Sequence, residues 1–255
     1  MGLTWFASSR NQYMDYNRFN LNQCPKNELE REQMRSIPYA SIVGSLMYAQ
    51  VCTRTDIAFV VGMLGRYQSN PGIEHWTTAK KLLRYLQGTK GYKLTYQRFD
   101  NLEVVGYSDL DFVGCVDSRK STSGYIFMMA NGAISWRSAK QSLVATSTME
   151  AEFISLFEAT SQGIWLKSFM AGLQVIDSVP RLLKIYYDNL AAAFLAKNNK
   201  SGSRSKHIDI KYLAMREHVK ENEIIIENIS TKLMIANPLT KGMQTKSFKD
   251  HVKSM

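Results

Sequence analysis

Hydrophobic and polar positions follow a helical period in the first part of the chain. Apolar residues recur at intervals of three and four positions in three stripes, which are Ile42, Val43, Leu46 and Met47; Ile57, Val60, Val61 and Leu64; and Trp76, Ala79, Leu83 and Leu86. Pro38 suits the opening of the first helix, Asn70-Pro-Gly72 separates the second from the third, and Gly88 ends the last. The pattern predicts a small bundle of three amphipathic helices, after an irregular lead-in over residues 1–26.

Short apolar runs that are typical of strands begin beyond residue 102. Val104–Asp109 is the first run. Asn131-Gly132 joins two more, Ser123–Met129 and Ala133–Trp136, in the strongest short-range hairpin pattern. We therefore expect a three-stranded meander whose first strand ends at Asp109.

Later segments predict further helices and two more strands. Ser147-Thr-Met-Glu150 matches a capping box, with Ser147 as N-cap and Glu150 reaching back to it, so a long helix should run through Leu173. The other predicted elements are strands over Leu182–Tyr187 and Glu223–Ile229, helices over Leu190–Ala196 and from His207 to about Lys220, and a last helix after Ile235. Strands and helices in this order indicate an α/β fold.

A polar stretch from Gly91 to Asn101 separates the two patterns. It predicts a boundary between a helical part, residues 1–98, and an α/β part, residues 103–255. An extra edge strand over Lys93–Gln97 is an alternative use of the same stretch.

Three acidic residues fall at the ends of predicted elements. Asp109 and Asp188 follow apolar strands, and Glu152 lies within the first two turns of the long helix. An Asp at a strand end is most often a turn or cap residue, and Glu150 is better explained by capping. Glu152 has less of a structural role, since it precedes Leu156 by one turn on the flank that should face the sheet. Together the three acids favour a shared site for magnesium or manganese, which prefer charged oxygen ligands.

Composition narrows the class of protein. The chain has 255 residues, a net charge of +10 and a pI near 9.4, which favours a polyanionic partner, although diffuse positive charge is often only a solvated surface. No Gly-x-Ser-x-Gly motif occurs, which argues against a Ser/His/Asp hydrolase. The three cysteines form no close pair, and no secretory signal or membrane-spanning run is found, so we expect an intracellular, cytoplasmic location.

Six motifs follow one another in the second part of the chain. They are Gly106-Tyr-Ser-Asp109, Ser121-Thr-Ser-Gly-Tyr125, Ala133-Ile-Ser-Trp136, Ser147-Thr-Met-Glu-Ala-Glu152-Phe153, Tyr187-Asp188-Asn189 and Ser205-Lys-His-Ile-Asp-Ile-Lys-Tyr212. Together they resemble the ribonuclease H (RNase H) domain of copia-type LTR retrotransposon Pol polyproteins. The resemblance implies an RNase H-like fold with a five-stranded mixed sheet. It also implies an enzyme that cuts the RNA strand of RNA–DNA hybrids with two magnesium or manganese ions.

The same resemblance implies roles for the acids. Asp109, Glu152 and Asp188 match the first three metal-binding acids of the family. Asp109 would bridge two ions about 4 Å apart, Glu152 would hold the ion on the departing-oxygen side, and Asp188 the ion that carries the nucleophile. Hybrid selectivity would come from contacts to 2′-hydroxyl groups in the minor groove.

The helical part resembles the end of a copia-type reverse transcriptase. The motifs are Ser36-Ile-Pro-Tyr-Ala40, Cys52-Thr-Arg-Thr-Asp-Ile57, Ser69-Asn-Pro-Gly72 and Leu83-Arg-Tyr-Leu-Gln-Gly-Thr89. In that family this stretch is thumb-like and lies beyond the catalytic palm. Thr55 stands where Pro is usual. The chain contains no Tyr-x-Asp-Asp motif, so we expect no polymerase activity.

The chain departs from the family pattern at the fourth metal-binding acid. Ala236-Asn237-Pro-Leu-Thr-Lys241 replaces the usual Ala-Asp-Pro-Leu-Thr-Lys, so Asn237 offers a carbonyl oxygen but no charge. Leu213 also stands where His is usual. His207 and Asp209 point to different sides of a helix and are left outside the catalytic set. Nuclease activity is therefore expected to be reduced, and the alternative is a non-catalytic remnant that binds nucleic acid, or a structural fragment that binds nothing.

Basic residues suggest nucleic-acid contacts in two places. Arg204, Lys206 and Lys211 belong to or follow a Gly/Ser-rich loop, where mobile cations can track a phosphate backbone, although such loops are also polar for solubility alone. In the helical part, Arg54, Arg66, Lys80, Lys81 and Arg84 could contact phosphates, and a solvated outer face explains them equally well.

Overall fold

Four helices make up the first part of the chain in the computed structural model, which describes residues 19–96, 98, 103–173, 182–189, 206–243, 248 and 250–252. They are α1 (Glu28–Arg35), α2 (Tyr39–Cys52), α3 (Ala58–Gly65) and α4 (Ile73–Gly88). The three predicted helices are confirmed as α2, α3 and α4. Helix α1 was not predicted. It is mostly polar and exposed, with only Met34 buried, so it carries no apolar stripe in the sequence.

The helices pack around a common apolar core. Val43, Leu46, Leu64 and Ala79 are fully or almost fully buried there. In α4 the buried face includes Leu82 and Tyr85, whereas Leu83 is 37% exposed, so the predicted stripe was wrong at this position.

A five-stranded mixed sheet organises the second part. The strands are β1 (Val105–Cys115), β2 (Lys120–Met129), β3 (Gly132–Lys140), β4 (Leu183–Tyr187) and β5 (Ile224–Asn228). Their order is β3-β2-β1-β4-β5, with antiparallel pairing among β1, β2 and β3 and parallel pairing of β4 with β1 and with β5. This is the RNase H-like α/β fold that the sequence predicted, and all five predicted strands are present.

Strand β1 is longer than predicted. It continues past Asp109 to Cys115 and pairs with β2 across a bulge, and Val113 in the bulge has a φ of 56°. Asp109 therefore lies within the strand, opposite Gly124, and the prediction that it ends the strand was wrong. The strand can continue because Leu110 is buried against the core behind it.

Two long helices accompany the sheet, α5 (Thr148–Gly172) and α6 (Lys206–Lys220). Ser147 caps α5 as predicted, since its hydroxyl oxygen accepts from the amide of Glu150 at 3.2 Å. The Glu150 carboxylate accepts from the amide and hydroxyl of Thr146, not from Ser147 as the capping-box prediction required. Helix α5 comes close to the sheet at Gly163, where a Cβ would lie 3.0 Å from the ring of Phe127.

The opposite face of the sheet is covered by residues 231–241. Single turns of 3₁₀ helix occupy Thr231–Leu233 and Asn237–Leu239. Met234, Ala236 and Leu239 are fully buried in one cluster with Ile126 and Ala133 of the sheet. The predicted last helix does not begin before residue 243, because the chain packs there as turns against the sheet, and the described residues 248 and 250–252 are helical. The predicted helix Leu190–Ala196 lies outside the described residues.

The helical part contacts this same face. The indole N–H of Trp136 in β3 donates to the carbonyl of Gln50 at 3.1 Å, and Arg66 donates to the Thr122 hydroxyl at 3.2 Å. Between the two parts, residues 93–96 form no strand. Instead, the Tyr96 hydroxyl donates to the carbonyl of Ala133 at 2.8 Å. The division into residues 1–98 and 103–255 stays a prediction. No helix in the described ranges combines the length and apolar character needed to cross a bilayer.

A buried ion pair connects the helices. Arg54 donates to both carboxylate oxygens of Asp56, at 2.9 and 2.7 Å, and the Tyr85 hydroxyl donates to the same carboxylate at 2.6 Å. Arg54 also donates to Thr89 at 2.7 Å. Its guanidinium is thus hydrogen-bonded within the protein, which contradicts the suggestion that Arg54 contacts phosphates.

Removing the acid of this pair should destabilise the fold strongly. Asp56→Ala leaves the Arg54 charge buried without its partner, which costs about 3–5 kcal/mol at such sites. Glu32→Ala breaks an exposed pair with Arg35 and should cost less than about 1 kcal/mol. Chemical denaturation measures the free energy of unfolding of both variants. Equal decreases would show that the buried pair stabilises the fold no more than the exposed one.

Candidate metal centre

Alternation along β1 separates two environments. Ser108 faces α5, where its hydroxyl lies 3.2 Å from that of Ser155. Asp109 faces the other side and meets the segment around Thr240. Gly124, opposite Asp109, makes this approach possible, because a Cβ there would lie 2.6 Å from the Thr240 methyl carbon.

The Asp109 carboxylate is buried and held by two donors. The Thr240 hydroxyl donates to Oδ2, and the Lys241 ammonium lies 3.4 Å from Oδ1 and 3.3 Å from Oδ2. Burial raises the pKa of Asp109, and the nearby charge of Asp188 adds to this, while Lys241 and Thr240 oppose it. The carboxylate is therefore stabilised by specific donors at a position that otherwise disfavours its charge.

Glu152 approaches from the first turns of α5. The helix is fixed to β1 by the Ser155 hydroxyl, which donates to the Asp109 carbonyl at 2.8 Å. The Glu152 carboxylate accepts from the Tyr187 hydroxyl and, at 3.1 Å, from the side-chain amide of Asn189. Burial is the main reason that the pKa of Glu152 is raised to about 7, and the charges of Asp109 and Asp188 contribute.

Asp188 follows β4 directly. The parallel pairing of β1 and β4 runs as far as Ser108 with Tyr187, so Asp109 and Asp188 each come next in register. The charge of Asp188 raises the pKa of both Asp109 and Glu152. The structure thus brings the three sequence-predicted acids close enough for their charges to interact, beside the middle of β1 and the end of β4.

Asn237 is buried in the turn that precedes Thr240. Its amide donates to the carbonyl of Thr231 at 2.9 Å, and its Oδ1 is buried without a hydrogen-bond partner among the described residues. The Thr240 hydroxyl lies 3.1 Å from the Asn237 carbonyl. Asn237 therefore contacts Thr240, which donates to Asp109, and its Oδ1 is available as a ligand atom.

Sequence reasoning missed Asp111, which shares a strand face with Asp109. Its Oδ2 is buried without a hydrogen-bond partner in the described part of the chain. Burial raises the pKa of Asp111 to about 6, the charge of Asp109 adds to this, and Lys241 and Arg66 lower it. The two-residue period of a strand would have indicated this acid. Thr240, Lys241 and Tyr187 were also missed, and the first two contact Asp109 from more than a hundred positions along the chain.

The donor set fits hard divalent cations. Carboxylates surround the site, and two buried side-chain oxygens, Asp111 Oδ2 and Asn237 Oδ1, have no hydrogen-bond partner in the described ranges. Nevertheless, the ligand atoms of Asp109, Glu152 and Asp188 do not all lie within 4.8 Å of one another. Within the described residues, three such ligand atoms lie within 4.8 Å of one another at His218, Glu221 and Glu223. There His218 bonds Glu223 at 2.7 Å and Glu221 is exposed, as in a surface ion pair.

The structure describes only some of the residues that were predicted to contact nucleic acid. Lys211 lies on α6, with its ammonium 5.3 Å from the centre of the Phe157 ring. Lys206 is the first residue of α6, and Arg204 lies outside the described residues. In the helical part, Arg66 is close enough to lower the pKa of Asp111 and therefore belongs to the surroundings of the site.

Comparison with known proteins identifies relatives of this chain. No family model matches it. It is 44% identical over 225 residues to the retrovirus-related Pol polyprotein from transposon TNT 1-94 of Nicotiana tabacum, covering 88% of this chain and 17% of that protein. Against the corresponding polyprotein from transposon RE2 of Arabidopsis thaliana, identity is 35% over 212 residues, covering 83% and 14%. The chain thus spans less than a fifth of either polyprotein.

Two further proteins are similar over different extents. Secreted RxLR effector protein 161 of Plasmopara viticola is 48% identical over 133 residues, which are 52% of this chain and 94% of that protein. Among solved structures, the foamy viral protease-reverse transcriptase in complex with dsDNA superposes with a TM-score of 0.48 and 12% identity, covering 80% of this chain and 42% of the other.

Stability should fall as pH rises through the range in which Glu152 titrates. Its pKa is raised from 4.5 to about 7, so between these values the folded protein binds more protons than the unfolded chain, and deprotonation favours unfolding. Glu152→Gln removes this group and should lose less stability between pH 5 and pH 8 than the wild type, by on the order of 2–3 kcal/mol.

Denaturant titrations at both pH values, with a chelator present, measure this effect. Glu32→Gln, an exposed change on α1, is the matched control and should follow the wild type. If Glu152→Gln also followed the wild type, the carboxyl would not carry the pH dependence.

Proposed function

Since the chain belongs to the family of copia-type retrotransposon Pol polyproteins, we propose that its α/β part cuts the RNA strand of RNA–DNA hybrids with magnesium or manganese ions. The observation that carries this proposal is the approach of Asp109, Glu152 and Asp188 to one another beside the middle of β1 and the end of β4. Hydrolysis of a phosphodiester by divalent ions requires acids gathered in this way, since both the ions and the substrate are charged.

Each acid has its own setting in the proposed mechanism. Asp109 is buried and centrally placed, so it would hold cations away from bulk water. Glu152 is oriented by Tyr187 and Asn189, so its carboxylate would be positioned to hold an ion. When bound, the divalent ions would supply a more acidic water and stabilise the departing 3′ oxygen.

Nucleic acid is the proposed partner of the site. Arg66 and Lys241 place positive charge beside the acids, which suits an anionic backbone, and the chain as a whole carries a charge of +10. We propose no polymerase activity for this chain, because the Tyr-x-Asp-Asp motif does not occur in it. The second candidate is a remnant that binds hybrids without cutting them. Asn237 favours it, since a neutral amide occupies the position of the fourth acid.

Loss of the central carboxylate should remove cleavage. Asp109→Asn should lower the magnesium-dependent rate on a labelled RNA–DNA hybrid by more than the roughly 10–100-fold that loss of an outer-shell partner costs at metal sites. Glu150→Gln serves as the control, because Glu150 contacts Thr146 and is assigned only to the start of α5. Equal losses at matched folded fractions would refute the ligand assignment, and an inactive wild type that still binds hybrid would favour the remnant.

Restoring the fourth acid should raise cleavage. Asn237→Asp adds a charged ligand for an ion that gives up its water reluctantly, so the gain should be several-fold at low magnesium and shrink toward saturation. Initial rates against magnesium concentration measure this effect. Asn131→Asp adds the same charge at the β2–β3 turn and should leave the curve unchanged. Coinciding curves for Asn237→Asp and an active wild type would place Asn237 outside the metal site.

A further inference from the structure

Lys241 reaches from a partly exposed position to a buried carboxylate. Its side chain is 34% exposed, whereas that of Asp109 is 3% exposed. The ammonium lies 3.4 Å from Oδ1 and 3.3 Å from Oδ2, so it faces both oxygens of the central acid. A lysine in this geometry acts as a point charge at the position from which a cation would bind the carboxylate.

The influence of Lys241 extends beyond Asp109. Its charge also lowers the pKa of Asp111 and of Glu152, so one ammonium acts on three acids of the centre. Arg66 also lowers the pKa of Asp111. Lys241 is therefore a cation that these three acids share.

A divalent ion at Asp109 needs the oxygens that Lys241 faces. Two cations within about 4 Å of each other repel strongly where water is largely excluded. We propose that Lys241 competes with divalent ions for Asp109 and thereby sets the metal concentration at which the centre fills. This proposal rests on the proposed function, since it assumes that Asp109 binds metal.

The surroundings of Lys241 allow its ammonium group to move away from Asp109. Thr240 is fully buried and bonded to Asp109, which anchors the backbone on one side. Lys241 is followed by the exposed Gly242, and its flexible four-carbon stem can carry the ammonium into solvent. Displacement therefore requires a change of rotamer without unpacking Ala236 or Leu239 from the sheet.

The test compares metal affinity with and without this charge. Lys241→Met keeps an apolar stem and removes the ammonium, and Lys241→Gln is a second neutral variant in case the first does not fold. Lys232→Met, at an exposed position in the preceding turn, is the matched control. Mn²⁺ binding is measured by electron paramagnetic resonance of the free ion, after treatment with a chelator. Asp109→Asn and Glu221→Gln report which site is being filled.

Both neutral Lys241 variants should bind Mn²⁺ on the order of tenfold more tightly than the wild type, and Lys232→Met should not. Their thermal midpoint should be lower than that of the wild type in chelator and should rise more when Mn²⁺ is added. A purely structural ion pair would lower the midpoint equally in both conditions and leave the affinity unchanged. That result would overturn the proposal.

Failure of the proposed function gives a different result. A wild type that binds Mn²⁺ at an Asp109-dependent site but does not cut hybrids would refute the nuclease while leaving the competition intact. If Mn²⁺ binding is absent, or is lost in Glu221→Gln but kept in Asp109→Asn, no cation competes at Asp109 and the inference about Lys241 falls.

Discussion

Burial of the Asp109 carboxylate in the middle of β1 constrains everything around it. A buried charge is tolerated only when it is paired and hydrogen-bonded, and Thr240 and Lys241 meet that need. These donors reach it because Gly124 leaves room for the segment that carries them. On the other side of the strand, Ser155 bonds the backbone of Asp109 and so brings the first turns of α5, with Glu152, close to this acid. Residue 109 thus bonds the helix through its backbone carbonyl and the covering segment through its carboxylate.

The helical part is held to the sheet by contacts near this centre. Ala58 is buried with Leu239, two residues before Lys241, and Arg66 bonds Thr122, which pairs with Asp111. A change in the packing of α3 would therefore also shift the segment that covers the acids. This gives the helices a structural function in a chain without the polymerase motif, since they support the segment that supplies donors to Asp109.

Local patterns predicted what depends on local physics. Apolar runs and the Asn131-Gly132 turn indicated the strands, and Asp109, Glu152 and Asp188 were found because each lies near the end or the start of a predicted element. The predicted first strand was too short because a charged residue in the middle of a buried strand is unfavourable without partners, and the sequence does not show the partners of Asp109. Those partners lie 131 and 132 positions away. Arg54 was misjudged for the same reason, since only the fold shows that Asp56 and Tyr85 enclose it.

Asn237 illustrates how charge and hydrogen bonding are balanced at such a centre. Its amide donates to the Thr231 carbonyl, which an ionised aspartate could not do. Burial already raises the pKa of Asp109, Glu152 and Asp111, so another carboxylate here would add repulsion as well as lose a donor. Without bound cations, asparagine is therefore the residue that better suits the fold. With cations bound, an acid would suit the site better. If the site binds cations as proposed, the residue at this position would exchange affinity for ions against stability in their absence, and Lys241 would act on the same balance by supplying a positive charge from the protein itself.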